Sequence, residues 1–306
     1  MASIHTNVSA MTALNALENT NQKLVETQNR ISSGLRVATA SDNSAYWSIA
    51  TTMRSDNDAL STVVDALGLG GATVDVTYAA LETTVDVVSE LKAKLVAARQ
   101  PGVDRSKIQA EVAELQNQLE GITSSASFSG ENWLFTPTGV TAEATKSIVS
   151  SFTRNDTGVS VQTITVDVAA LKLYDVDNAD GILDQDRTGA GSGATFKIST
   201  MDVSTLTDST ADLTILDDYI SGIDTALQSI TSSTASLGSV ATRIEMQQDF
   251  VSALMDSIQK GISQLVDADM NEESTRLQAL QVQQQLGVQS LSIANQSAQS
   301  ILSLFQ

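Results

Sequence analysis

The stretch Leu277-Gln278-Ala279-Leu280-Gln281-Val282-Gln283-Gln284-Gln285-Leu286-Gly287-Val288-Gln289-Ser290-Leu291 sets Leu277, Leu280 and Leu291 on an alternating three- and four-residue spacing. The same series runs on through Ala294, Ala298, Ile301 and Phe305, with Gln284 and Gly287 as its gaps. A seam of this kind marks a helix that needs a partner helix. At the other end of the chain Leu14, Leu17, Leu24, Ile31 and Leu35 follow the same rule, with Asn21 and Gln28 at the remaining seam positions. Polar residues at seam positions fix register at some cost in stability. Chain ends usually fray or lie on the surface, so two seamed ends are expected to pair with each other and with copies of themselves. Further apolar residues lie off the C-terminal seam, at Val282, Leu286, Ile293, Leu302 and Leu304, and suggest more than one neighbour.

Inboard of these ends the periodicity continues. Ile49, Met53, Leu60, Val63, Leu67, Val74, Leu81, Val88, Leu91, Leu95 and Ala98 fall on one series, interrupted at Asp56, Gly70, Thr77 and Thr84. They predict a helix of about 50 residues, well beyond the usual three turns. Gly68, Gly70 and Gly71 weaken its middle and predict a kink or local break, each glycine costing about 1 kcal/mol against alanine. Gly34 and Ala40-Ser41-Asp42-Asn43-Ser44 supply turn and capping chemistry before it, and Pro101-Gly102 ends it. A shorter helix follows on Ile108, Val112, Leu115, Leu119 and Ile122.

Residues 123–205 are richer in Ser, Thr, Gly and Asp, and the β-prone runs Val159 to Val168 and Phe196-Lys197-Ile198 predict strands in a small appended domain. A second long seam runs from Leu216 through Ile223, Ile230, Leu237, Ile244 and Val251 to Leu265. It breaks at Asp267-Ala268-Asp269-Met270-Asn271-Glu272-Glu273, after which the terminal seam starts in a shifted phase. The fold class expected is mainly α, with long heptad-patterned helices from both ends forming a coiled-coil rod and a small β-rich variable insertion. The divisions expected are 1–40 and 270–306 as an inner core, 41–140 and 206–269 as a helical rod, and 141–205 as the exposed insertion.

Composition narrows the function. The 306 residues carry 17 basic and 36 acidic side chains, a net charge of −19, which argues against nucleic acid and against an anionic membrane surface. No continuous apolar run approaches the 18 residues of a membrane span. There is no cysteine, so neither disulfides nor thiolate chemistry is available. The start, Met1 to Asn7, has neither the basic region nor the apolar stretch of a cleaved signal peptide. His5 is the single histidine, which leaves a catalytic triad, a zinc-protease helix and most metal sites without parts. The chain is expected not to be an enzyme and to hold no cofactor or metal.

Two local features invite chemistry. Asp175, Asp177, Asp180, Asp184 and Asp186 surround Gly181 in a pattern that suits a Ca²⁺ loop. The EF-hand spacing fails, however, because the first ligand would fall on Val176 and the bidentate one on Arg187, and a solvated acidic loop is the stronger reading. Asn155-Asp156-Thr157 is a glycosylation sequon where such machinery exists.

Taken in order, several motifs carry a resemblance. Ser33-Gly34-Leu35-Arg36-Val37 with Asp42, Ala45, Ile49 and Ala50 resembles the N-terminal signature of bacterial flagellins. Ser127-Phe128-Ser129-Gly130-Glu131-Asn132 is similar to that family's aromatic-Gly-Asn turn, and Leu237-Gly238-Ser239-Val240 with Arg243-Ile244 to its C-terminal helix motif. Asp267-Ala268-Asp269 resembles its acidic hinge, and Gln284-Gln285, Ala294-Asn295-Gln296 and Ile301-Leu302-Ser303-Leu304 its last helix. Tyr46-Trp47-Ser48 and the glycines at 68–71 look like flagellins of rhizobium-type bacteria. The resemblance covers about residues 1–140 and 210–306.

The resemblance implies a structural subunit that polymerises into the extracellular flagellar filament for swimming, exported without a cleaved signal peptide. Its implied partners are copies of itself or sister flagellins, an export chaperone and the filament cap. The polymerisation seam would comprise Leu14, Leu17, Leu24, Ile31, Leu35, Leu277, Leu280, Leu291, Ile301 and Phe305. A patch read by an innate immune receptor aligns with Val88, Ser89, Glu90 and Leu91, where an anion replaces the family's arginine at Glu90, so weak recognition is expected. A plant receptor's stretch aligns with about residues 30–50 and departs at Ser41, Asn43 and Tyr46. The alternatives are a hook–filament junction protein of the same family, or a surface adhesin or calcium-binding module centred on residues 140–205.

Overall fold

The computed structural model describes residues 7–140, 143–155 and 158–303, with side chains as far as Gln296. The helices are α1 (Val8–Ser33), α2 (Ser44–Ala98), α3 (Arg105–Ser125), α4 (Thr210–Val266) and α5 (Met270–Ser303). Between α3 and α4 lie the strands β1 (Ser127–Phe128), β2 (Glu131–Asn132), β3 (Phe135–Thr136), β4 (Thr145–Asn155), β5 (Gly158–Asp167), β6 (Tyr174–Asp175), β7 (Arg187–Thr188) and β8 (Thr195–Phe196), followed by a 3-10 turn at Ile198–Thr200. The chain forms two compact units, one made of residues up to Asp58 and from Met255, the other of Ala59–Leu254.

In the unit formed by the chain ends, α1 stops at Gly34, whose left-handed φ of 72° lets its N–H reach the Arg30 carbonyl at 2.8 Å. The chain then runs beside the end of α4. Arg36 N donates to Val266 O at 2.7 Å, Ala268 N donates to Gly34 O at 2.9 Å, and Leu35 and Asp267 form an antiparallel bridge. Val37, Ala50, Ile262 and Val266 close a small core beneath this junction, with Leu35, Met53, Ile258 and Leu265 packed on it. Asp42 accepts from the backbone of Ala38 and Thr39, Asn43 caps α2 through Tyr46 N, and Asp269 caps α5 through Asn271 N. The turn chemistry expected at Gly34, at Asp42-Asn43 and at Asp269 therefore sits at helix boundaries.

The other unit is built on the predicted stripes. Leu60, Val63, Leu67, Val74, Leu81, Val88, Leu91, Leu95 and Ala98 are buried along α2, as are Leu216, Ile223, Ile230, Leu237, Ile244 and Val251 along α4. The two run antiparallel here, since Lys92 pairs with Asp224 and Arg99 Nε meets Asp217 at 2.8 Å. Thr77 and Thr84 keep their places on the buried stripe because each hydroxyl donates to the carbonyl four residues back, at 2.8 and 2.7 Å. Composition along α2 reaches a mean hydropathy of 1.3 over 18 residues, enough by length and apolarity to cross a membrane. The expectation from continuous runs missed this because the apolar residues are interspersed, and 28% of that stretch is buried.

The local break expected at Gly68, Gly70 and Gly71 is not there, and α2 is one uninterrupted helix. Packing supplies the reason. A Cβ on Gly70 would lie 2.5 Å from Ile148 of β4, so the glycine admits a close neighbour. β4 and β5 pair antiparallel from Thr145↔Asp167 to Asn155↔Gly158, with a register shift between Val149 and Ser151. Ile148, Ile164 and Val166 face inward, while Val159 and Val161 are exposed. β3 and β6 pair in parallel, and the remaining strands form two short antiparallel ladders, β1 with β2 and β7 with β8.

Arg105, nearly fully buried at the start of α3, binds three groups in two other segments. It donates to Ala98 O at 2.9 Å, Leu206 O at 3.2 Å and Asp208 Oδ1 at 2.7 Å. The Arg105 side chain and the Gly102 N–H hold the Asp208 carboxyl below its ordinary range.

Gly70→Ala is expected to destabilise this unit by about 1–3 kcal/mol through overpacking. Gly68→Ala, whose Cβ meets open space, should instead stabilise it by up to about 1 kcal/mol. Urea unfolding of the two variants side by side checks the opposite signs.

Candidate functional site

The candidate site is the pairing of the two chain ends. α1 and α5 lie antiparallel, in a register that four contacts define. Asn7 Nδ2 donates to Ala294 O at 2.9 Å, and Gln284 Nε2 donates to Asn21 Oδ1 at 2.8 Å. Leu17 sits over Gly287, where a Cβ would come 3.2 Å from Leu17 Cδ1. Arg30 reaches Glu273 at 3.2 Å. Each pair sums to between 301 and 305, so one register holds along the hairpin.

Of the ten seam residues expected from sequence, Leu280 is fully buried at 6% exposure. Leu17, Leu24, Ile31, Leu35, Leu277 and Leu291 are half-buried, and Leu14 stays exposed at 52%. The side chains of Ile301 and Phe305 lie outside the described residues. Gln284, a gap in the apolar series, meets Asn21, a gap in the other, so polar gaps pair with each other across the seam. Gly287, the second gap, makes room for Leu17. After pairing, Val8, Met11 and Val25 on α1 and Val282, Leu286, Val288 and Ile293 on α5 remain exposed. Val282, Leu286 and Ile293 are spaced by four and seven residues and so share a face. An apolar face this long on an otherwise hydrophilic surface marks an interaction site.

In the acidic segment 175–186 the side chains of Asp177, Asp180 and Asp186 are exposed, as a solvated loop requires, and Asp175 is the exception. Asp175 is fully buried, and its Oδ2 lies 2.7 Å from Lys172 Nζ, while its Oδ1 accepts from Asp177 N at 3.2 Å and Asn178 N at 3.1 Å. Asp180 bonds the same lysine. Burial pushes the Asp175 carboxyl up, but the Lys172 bond and the Asn178 amide outweigh it and hold the group well below its ordinary 3.8. Burial likewise pushes Lys172 down, and its bonds to Asp175 and Asp180 carry it above 10.5. With those lone pairs engaged, Asp175 is not a free ligand, and among the described residues no group of three His, Cys, Asp or Glu side chains is placed to hold a metal. The sequence reading overlooked Lys172 because it stands just before the acidic run.

The receptor-equivalent patch is split by the helix. Val88 and Leu91 are in the core, and only Ser89 and Glu90 face outward. His5 and, in the sequon, Asp156 and Thr157 lie outside the described residues.

Residues 4–136 match the family model of the bacterial flagellin N-terminal helical region, and residues 220–305 that of its C-terminal helical region. The chain belongs to the bacterial flagellin family. Flagellin C of Rhizobium meliloti (strain 1021) is 53% identical over the whole of both chains, and Flagellin A of Rhizobium meliloti 42% identical over the same extent. A flagellin of Brucella melitensis biotype 1 is 45% identical, again over both full lengths. The rhizobium-type resemblance of the motifs therefore holds along the entire chain. This flagellin is a structural subunit of the flagellar filament, mainly α with a strand-containing insertion between its helical ends.

Replacing Lys172 by Met is expected to cost about 3 kcal/mol, because it leaves Asp175 charged and buried without its partner. The stability of the intact pair is fully present between the ordinary values of its two members. It falls as pH drops below 3.8 through the depressed Asp175 value, and as pH rises past 10.5 through the raised Lys172 value. Thermal unfolding across pH, with and without the substitution, checks both.

Proposed function

We propose that the paired α1 and α5 are the polymerising element of this flagellin, and that it assembles with copies of itself or with sister flagellins. The observation that carries the reading is the apolar face left open on both helices after they have paired with each other. An intramolecular hairpin buries one stripe per helix. The second stripe is stabilised only when another chain covers it. In this reading residues 1–40 and 270–306 form the inner core, 41–140 and 206–269 the helical rod, and 141–205 the outer variable insertion. The seam from Leu14 to Leu35 and from Leu277 to Phe305 supplies the apolar contacts.

The chain acts mechanically and carries out no catalysis. Full-length identity to several proteins named flagellins supports the filament subunit over a junction protein. Lys172, by occupying Asp175, removes the main support for a calcium-binding module. A cysteine-free sequence suits export as an unfolded chain, with a chaperone holding the apolar ends before assembly and a filament cap receiving them.

Leu286→Glu and Leu291→Asp are expected to abolish filament growth while leaving the helical content of residues 59–254 intact. Sedimentation and negative-stain electron microscopy of seeded polymerisation, beside circular dichroism, read the two effects separately. Filaments forming at the unsubstituted rate would overturn the assignment of the element.

Recognition by the vertebrate receptor is expected to be weak, since the outward side of its patch presents Ser89 and the anionic Glu90. Glu90→Arg should raise the response in a receptor reporter assay by at least tenfold. A full response to the unsubstituted protein would refute this.

A further inference from the structure

The apolar seam of α1 and α5 does not by itself select one alignment. Its side chains are mostly half-buried, Leu, Ile and Ala recur every three to four residues, and a slip of one turn would set similar residues against each other. What distinguishes the observed register is the seating of Leu17 over Gly287 together with three polar contacts. Asn7 meets Ala294 O, Asn21 meets Gln284, and Arg30 meets Glu273.

The last of these contacts differs from the other two in burial. Glu273 is 4% exposed in a hairpin whose other described buried side chains are Thr27 and Leu280. Its Oε1 accepts from Arg30 NH1 of α1 and from Arg276 NH1 of α5, both at 3.2 Å. Each arginine is held in turn on its own helix, Arg30 by Glu26 at 2.6 Å and Arg276 by Glu272 at 2.8 Å. The second oxygen of Glu273 has no hydrogen-bond partner. Among the described residues the carboxylate therefore takes one of its two cations, Arg30, from the opposite helix. Sliding α5 by one turn would carry Glu273 away from Arg30 and leave the buried carboxylate with Arg276 alone of its two cations, and losing one partner of a buried charge is unfavourable.

We propose that the Arg30–Glu273 clasp, with the Asn21–Gln284 bond as its second rung, selects the register in which the two chain ends pair. The clasp lies beside the junction where Gly34 and Ala268 are already joined through the backbone. Pairing starts there, with the polar ladder rejecting slipped alignments as the helices close outward towards Asn7 and Ala294. The seam gives affinity and the clasp gives alignment. Its bearing on assembly rests on the reading above that the paired ends polymerise.

The absence of cysteine makes the test clean. A Cβ at Gly287 would lie 3.8 Å from Leu17 Cβ, the separation of a disulfide. In the full-length chain, Leu17→Cys/Gly287→Cys reports the observed register, and Leu17→Cys/Gln283→Cys reports a slip of one turn. Each pair is made alone and again with Glu273→Gln or Arg30→Gln, then oxidised both as soluble chain and as sedimented filament, with crosslinks mapped by peptide mass spectrometry.

The expected result is a native-register crosslink at least tenfold over the slipped one in the unsubstituted background. With either clasp substitution the ratio should fall to within about twofold, while total crosslinking persists. An unchanged ratio would overturn the proposal. So would loss of both crosslinks, which would make the clasp a requirement for pairing rather than a selector of register. Native-register crosslinking in chains that never form filaments would leave the clasp intact and count against the polymerisation reading alone.

Discussion

The joining of the two ends of the chain is the constraint on which the rest of this structure depends. α1 and α5 are the first and last described helices, and each carries a seam that cannot be satisfied within itself. Bringing ends together across a long chain costs entropy, though that cost grows only slowly with length. Here the intervening chain has already folded back, because α2 and α4 run antiparallel within the unit of Ala59–Leu254. Backbone bonds between Gly34–Val37 and Val266–Ala268 join the segment after α1 to the segment before α5.

Two kinds of polar residue interrupt the apolar stripes, and they act differently. Thr77 and Thr84 are buried in α2, yet each is satisfied locally by a carbonyl of its own helix. They can ride in a core without a partner across the seam. Asn21 and Gln284 bond each other across the two helices, and Arg30 and Glu273 bond across them as well, beside their partners Glu26 and Arg276 on their own helices. A buried polar group with a distant partner penalises every arrangement in which that partner is missing, and so carries information that an apolar seam lacks.

The insertion follows the same logic with charge. Asp175, Lys172 and Asp180 form a charged cluster at β6, and the close approach of Ile148 to Gly70 seats the β4–β5 hairpin on α2. The acidic run looked like a ligand set because its spacing is local and visible. The lysine that claims it was equally visible but carried no motif. What made it decisive was burial of the pair, and burial is not a property of a short stretch of sequence.

The sequence by itself determined the helical elements, their breaks at Gly34, Pro101-Gly102 and Asp267–Asp269, the buried stripes of α2 and α4, and membership of the flagellin family. These follow from local periodicity, capping chemistry and motif order, all of which act over a few residues. Only the tertiary structure decided that Gly70 is a contact rather than a helix break, that Val88 and Leu91 face inward, and that Asp175 belongs to Lys172. It alone set Leu17 over Gly287 and Arg30 beside Glu273. A heptad pattern tells a helix which face to bury, but not against which residue of a distant helix. That choice is made by contacts between residues far apart in the chain, through packing volume and the cost of unpaired buried charge.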